Sequence, residues 1–110
     1  VNSKSVYLEI TLEELRSHKS DIPTLDEVFD LIDREVVINI EVKIPRDENI
    51  TYEKELVTKI LSQKVLQYGE EYVLVSSFNH QWLDMFARTS EAACLYLTQY
   101  WSTDVIPQED

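Results

Sequence analysis

From Ile38 to Ile44 the chain alternates apolar and polar residues without a break: Ile38, Ile40, Val42 and Ile44 against Asn39, Glu41 and Lys43. Successive side chains of an extended chain point to opposite faces, so this pattern predicts a strand. With Val36 and Val37 in front and Pro45 behind, the predicted strand covers residues 36–44. One face is Val36, Ile38, Ile40, Val42 and Ile44; the other is Asn39, Glu41 and Lys43. Two architectures accept such a strand. A half-exposed antiparallel sheet puts the three polar residues in water. A βα-barrel strand packs its outer face on helices and carries chemistry on its inner face near the C-terminal end.

Helical spacing dominates elsewhere. Thr11-Leu12-Glu13-Glu14 and Thr24-Leu25-Asp26-Glu27 each have the form of a capping box, a threonine cap with a glutamate three residues on. They predict helices over about 12–18 and from Leu25 to near Asp33, the second with Leu25, Val28, Phe29 and Ile32 on one side. A longer helix is predicted over about 51–68, with an apolar stripe of Leu56, Val57, Ile60, Leu61 and Val65. Gly69, the single glycine, follows it, where a left-handed residue is wanted. Tyr72-Val73-Leu74-Val75 is apolar throughout, as in a parallel strand buried on both faces. Asn79 caps a helix over about 80–89, with Trp82, Leu83 and Phe86 inward, and Cys94-Leu95-Tyr96-Leu97 is a third strand candidate. A fourth short extended segment covers 6–10. Strands that alternate with helices predict right-handed βαβ units, a parallel sheet and an α/β fold.

Composition narrows the choice of partner. The 110 residues include 21 Asp and Glu against 10 Lys and Arg, a formal charge of −11. That argues against nucleic acid and anionic membrane, which both reward cations. An anionic substrate would need a local positive centre within this unfavourable field. No apolar run approaches the length of a membrane span, and no secretory signal pattern is present. A cytoplasmic location is favoured by that and by the single Cys94, which reads as a small packing residue and not as a nucleophile.

Four segments, taken in order, resemble the glycerophosphodiester phosphodiesterases. Ile22-Pro23-Thr24-Leu25-Asp26-Glu27-Val28, preceded by Leu12-Glu13-Glu14-Leu15, looks like the family's Ile-Pro-Thr-Leu-Glu-Glu-Val helix start. Asn39-Ile40-Glu41-Val42-Lys43 matches its Asn-Ile-Glu-Ile-Lys strand, and Val75-Ser76-Ser77-Phe78-Asn79 is similar to its Ser-Ser-Phe strand end. Leu95-Tyr96-Leu97 falls where the next strand would be. The resemblance implies a (β/α)8 barrel of the TIM type and a metal-dependent hydrolysis of glycerophosphodiesters to an alcohol and glycerol 3-phosphate, a reaction of phospholipid-derived metabolites. It also implies roles. Glu41 ligates the catalytic divalent cation, for which a hard ion such as Mg²⁺ or Ca²⁺ suits a carboxylate. Lys43 contacts the substrate phosphate and assists catalysis. Phe78 lines the substrate pocket, against the plainer reading of a core aromatic at a strand end.

The departures matter as much. The family's acid and base are two histidines, the first in a His-Arg-Gly motif on the first strand, and neither that motif nor the family's second Glu and Asp ligands occur here. His18 reads as solvated and His80 as a surface residue near the barrel mouth, without a match to a family catalytic position. A full barrel takes about 250 residues and eight strands. The chain is therefore expected to be one fragment of a single domain, from roughly the third or fourth strand to the sixth, inactive alone and partnered by the rest of the barrel or by another copy. The competing readings are a small acidic α/β binding or assembly module without activity, and a barrel relative that has lost catalysis.

Overall fold

The structure, a computed structural model, describes residues 11–19, 21–46 and 53–99. The extended segment expected over 6–10 lies outside the described residues. The chain divides after Asp33 into two compact units.

The first unit holds two short helices, α1 (Leu12–His18) and α2 (Leu25–Ile32). Both start on complete capping boxes. The Thr11 and Thr24 hydroxyls accept from the amides of Glu14 and Glu27, and the two glutamates accept in return from the threonine amides. Each box satisfies two backbone donors that a helix start leaves open. Arg16 ties the unit together: its Nη2 meets Glu27 at 2.7 Å and its Nε donates to the Ile22 carbonyl at 3.1 Å. His18 is exposed in the last turn of α1. Helix α2 ends on Asp33 at φ 48°, and Arg34 follows at φ 66°.

The second unit is a sheet with helices. Strands β1 (Ile38–Glu41), β2 (Val73–Ser77) and β3 (Ala93–Tyr96) lie side by side in the order β1-β2-β3, and both pairings are parallel. The antiparallel alternative for β1 is thereby excluded. Helix α3 (Lys54–Tyr68) and a 3₁₀ turn (Glu70–Tyr72) connect β1 to β2; helix α4 (His80–Ala87) connects β2 to β3. The two crossover helices pack on each other, and consecutive crossovers that follow the right-handed rule put both on one face of the sheet. This order is shared by α/β barrels and by either half of a doubly wound sheet.

The core lies between that face and the helices. Val73 and Val75 of β2, Leu61, Val65 and Tyr68 of α3, and Trp82, Leu83 and Phe86 of α4 are all buried. Trp82 and Phe86 stack with ring centroids 5.5 Å apart. Register fixes the other face: Asn39 pairs Leu74, Leu74 pairs Ala93, Glu41 pairs Ser76 and Ser76 pairs Leu95. Asn39, Glu41, Ala93 and Leu95 are exposed there.

Three sequence expectations shift. Val36 and Val37 precede β1 and are exposed, 60% and 62%, because the ladder to β2 begins only at Ile38. The buried stripe of α3 is Thr58, Leu61, Val65 and Tyr68, while Leu56 and Ile60 face outward. The helix rotates to offer the Thr58 hydroxyl to the Trp82 indole, and that acceptor outweighs a more apolar side. Gly69 does end α3, but at φ 128° and ψ 110°, outside the left-handed helical well. A Cβ there would lie 2.9 Å from the Tyr72 ring, so only glycine fits.

Candidate functional site

The C-terminal edge of the sheet gathers most of the residues that the sequence singles out. Ser77 organises it. Its hydroxyl donates to the Val42 carbonyl at 2.8 Å and accepts from the Asn79 amide at 3.0 Å. Its own carbonyl accepts from the Leu97 amide at 3.0 Å, just beyond β3. One residue therefore links the ends of all three strands. The Val42 amide also donates to the Ser76 carbonyl at 2.9 Å, so the chain stays paired past the end of β1. Ser76 and Ser77 are fully buried, and the Ser76 hydroxyl donates to Asn39 Oδ1 at 2.9 Å. Small hydroxylated residues suit the place, since each can satisfy a backbone or amide group without bulk.

Glu41 and Lys43 are exposed, and the half-buried Ile40, Val42 and Ile44 alternate with them. The alternation places both on the Asn39 side of the strand, away from α3 and α4. Neither has a hydrogen-bond or ion-pair partner among the described residues. Phe78 follows β2 and is 40% exposed, so it is not a core aromatic. It lines an open cleft of about 360 Å³ beyond the ends of β1 and β2, together with Ile44, Arg46, Asn79, His80 and Gln81. In open parallel sheets that is where ligands bind.

His80 was legible in the sequence only as a surface residue. It is exposed, but it is also held. Its Nε2 lies 2.8 Å from the Leu97 carbonyl, and its ring meets the Tyr96 ring edge-on at 5.3 Å. A carbonyl can only accept, so Nε2 carries the hydrogen of this contact. Tyr96 in turn donates to Asp84 at 2.6 Å. That bond, with partial desolvation and the nearby carboxylate charge, raises the phenol above its ordinary pKa. The sequence already sets His80 near the barrel mouth; Arg46 enters the cleft unannounced, because no spacing rule links a loop residue after one strand to a helix start after the next. Cys94 is half-buried, and burial raises its pKa, which fits packing better than nucleophilic chemistry.

The donor set for a divalent cation is thin. Glu41 is one carboxylate, and Mg²⁺ or Ca²⁺ takes six or more oxygens. Among the described residues no group of three or more His, Cys, Asp or Glu comes together to hold a metal. The residues described do not by themselves fit a resident cation. No helix among them is long and apolar enough to cross a membrane.

The class that the fold defines is an α/β protein with a three-stranded parallel sheet. Comparison of the chain with protein-family models, with curated proteins and with solved structures finds no match.

Proposed function

We propose that the chain supplies central strands of a TIM-type barrel that hydrolyses glycerophosphodiesters to an alcohol and glycerol 3-phosphate. The observation that carries this is the placement of Glu41 and Lys43. By strand alternation Glu41 and Lys43 share the face of the parallel sheet turned away from α3 and α4, Glu41 at the end of β1 and Lys43 just beyond it. Barrel enzymes use that position for chemistry. The resemblance of Asn39-Ile40-Glu41-Val42-Lys43 and Val75-Ser76-Ser77-Phe78-Asn79 to the family's strands supports the same reading.

In this reading the Lys43 ammonium faces the phosphoryl oxygens and offsets the negative charge that grows on them as the P–O bond breaks. The Glu41 carboxylate marks the cation side of the phosphate, with further oxygen ligands coming from outside the described residues. Phe78 forms an apolar wall of the substrate cleft. Neither His18 nor His80 takes the acid/base role, which the family gives to two other histidines.

The test is hydrolysis in the presence of Mg²⁺ or Ca²⁺, with this chain joined to a segment that bears the His-Arg-Gly strand. Glu41→Gln and Lys43→Met should each lower kcat by about 100-fold or more, the scale for losing one electrostatic stabiliser of a transition state. Unchanged turnover in both variants would falsify the assignment.

A binding or assembly module without activity is the second reading. It is favoured by the solvent exposure of Glu41, with no group of three or more His, Cys, Asp or Glu placed to hold a metal among the described residues. Metal titration of the joined chain separates the two: binding that Glu41→Gln abolishes supports the enzyme, and indifference to metal supports the module.

A further inference from the structure

One buried oxygen flanks two of the residues that leave the strand ends. The Ser77 hydroxyl donates to the Val42 carbonyl at 2.8 Å and accepts from the Asn79 amide at 3.0 Å. Val42 stands between Glu41 and Lys43, and Phe78 stands between Ser77 and Asn79. Lys43 and Phe78 are exposed, whereas Ser77 is fully buried. Ser77 therefore cannot touch a substrate itself, but it borders the backbone of both residues that can.

The register shows which bond this side chain takes over. Regular pairing of β1 with β2 ends at Glu41 and Ser76, and the Val42 amide donates to the Ser76 carbonyl at 2.9 Å. The next rung of a parallel ladder would run from the Phe78 amide to the Val42 carbonyl. That carbonyl takes the Ser77 hydroxyl. A side-chain donor at this point satisfies the acceptor while the backbone of Phe78 turns out of the sheet. The same oxygen then closes the turn around Phe78 by receiving the amide two residues on, a serine turn. The Ser77 carbonyl, bonded to the Leu97 amide at 3.0 Å, anchors the arrangement to the chain beyond β3.

We propose that Ser77 is the positioning residue of this strand edge. Its hydroxyl fixes the directions in which Lys43 and Phe78 leave their strands, and with them the relation between the Lys43 ammonium and the Phe78 ring. The proposal rests on the phosphodiesterase reading only for what those two side chains touch. The positioning itself is measured without substrate.

The test compares Ser77→Ala with Thr58→Val in the full chain. Both remove a buried hydroxyl, but Thr58 lies between α3 and α4. Residual dipolar couplings report the directions of backbone N–H bonds. In Ser77→Ala the Lys43 and Phe78 couplings are expected to change while those of Val73 and Val75 hold; in Thr58→Val all four should hold. Ser77→Cys, studied under reducing conditions, keeps the size and a weak donor. It should show part of the change, and it serves where the alanine variant does not fold. Unchanged Lys43 and Phe78 couplings in the Ser77 variants, or the same change in Thr58→Val, overturn the proposal. In the joined chain Ser77→Ala should lower kcat about tenfold, a modest cost for misplacing a reacting group, and Thr58→Val should not. A joined chain without turnover sinks the enzymatic reading alone, since the couplings decide the positioning role.

Discussion

The Ser77 hydroxyl donates to the carbonyl of Val42 at 2.8 Å, across the C-terminal ends of two neighbouring parallel strands. The same oxygen accepts from the Asn79 amide, so the strand end and the approach to α4 are fixed by one side chain. Ser77 is fully buried, and its loss leaves two backbone groups without their partner. Ser77→Ala is expected to destabilise the fold by about 1–3 kcal/mol. Urea unfolding measures it, and an unchanged midpoint would show that the link contributes nothing. The same variant should broaden the Val42 and Asn79 amide signals before those of the core.

Helices α3 and α4 meet through a polar contact inside an apolar layer. The Trp82 indole N–H donates to Thr58 Oγ1 at 2.9 Å, and the Thr58 hydroxyl passes its own hydrogen to the Lys54 carbonyl at 2.7 Å. Thr58→Val keeps the shape but strands a buried N–H. A loss of about 1–3 kcal/mol is expected, and once Trp82→Phe has removed the donor, at its own packing cost, Thr58→Val should add little further. A double-mutant cycle reads the coupling, and additive single losses would count against it.

Gly69 is irreplaceable for two independent reasons, its φ of 128° and the Tyr72 ring 2.9 Å from where a Cβ would stand. Gly69→Ala should cost about 1–3 kcal/mol, the scale for forcing a side chain into a sparsely populated backbone region. Thermal unfolding of the variant checks this. Tyr72→Ala combined with Gly69→Ala should recover only the steric share.

Arg34 holds the end of α3. Its amide donates to the Tyr68 hydroxyl at 2.6 Å, its Nε donates to the Tyr68 carbonyl at 2.7 Å, and its guanidinium lies 4.9 Å from the ring centre. A cation at the negative end of a helix adds to these contacts. Arg34→Ala should cost about 1–3 kcal/mol, and Arg34→Lys should recover less than half, since an ammonium lacks the planar fork. Full recovery by lysine would show that charge alone matters.

The capping box of α2 makes a small pH dependence. The Thr24 amide holds the Glu27 pKa below its ordinary value, partial desolvation opposes this, and Arg16 adds to the lowering. A carboxylate with a lowered folded pKa contributes stability above its unfolded value, and loses it as the pH falls through the folded one. The start of α2 should therefore fray below the ordinary glutamate range. The Thr24 amide shift, followed by NMR in an acid titration, should show a midpoint below that of a free glutamate. A midpoint at or above the ordinary value would refute the sign.

Much of this was legible because it is local. The Thr11 and Thr24 boxes, the alternation from Ile38 to Ile44 and the unbroken run before Ser76 each follow from backbone geometry within a few residues. They determined which segments become helices and strands, and which side of β1 is polar. Tertiary structure decided what depends on a partner distant in sequence. It rotated α3 so that Thr58 and not Leu56 faces inward, began β1 at Ile38 where pairing with Val73 starts, and set Arg46 and His80 along one cleft. The physical reason is the same in each case: buried donors must be satisfied and ladders need a neighbour, and a pattern read along one strand or helix contains neither.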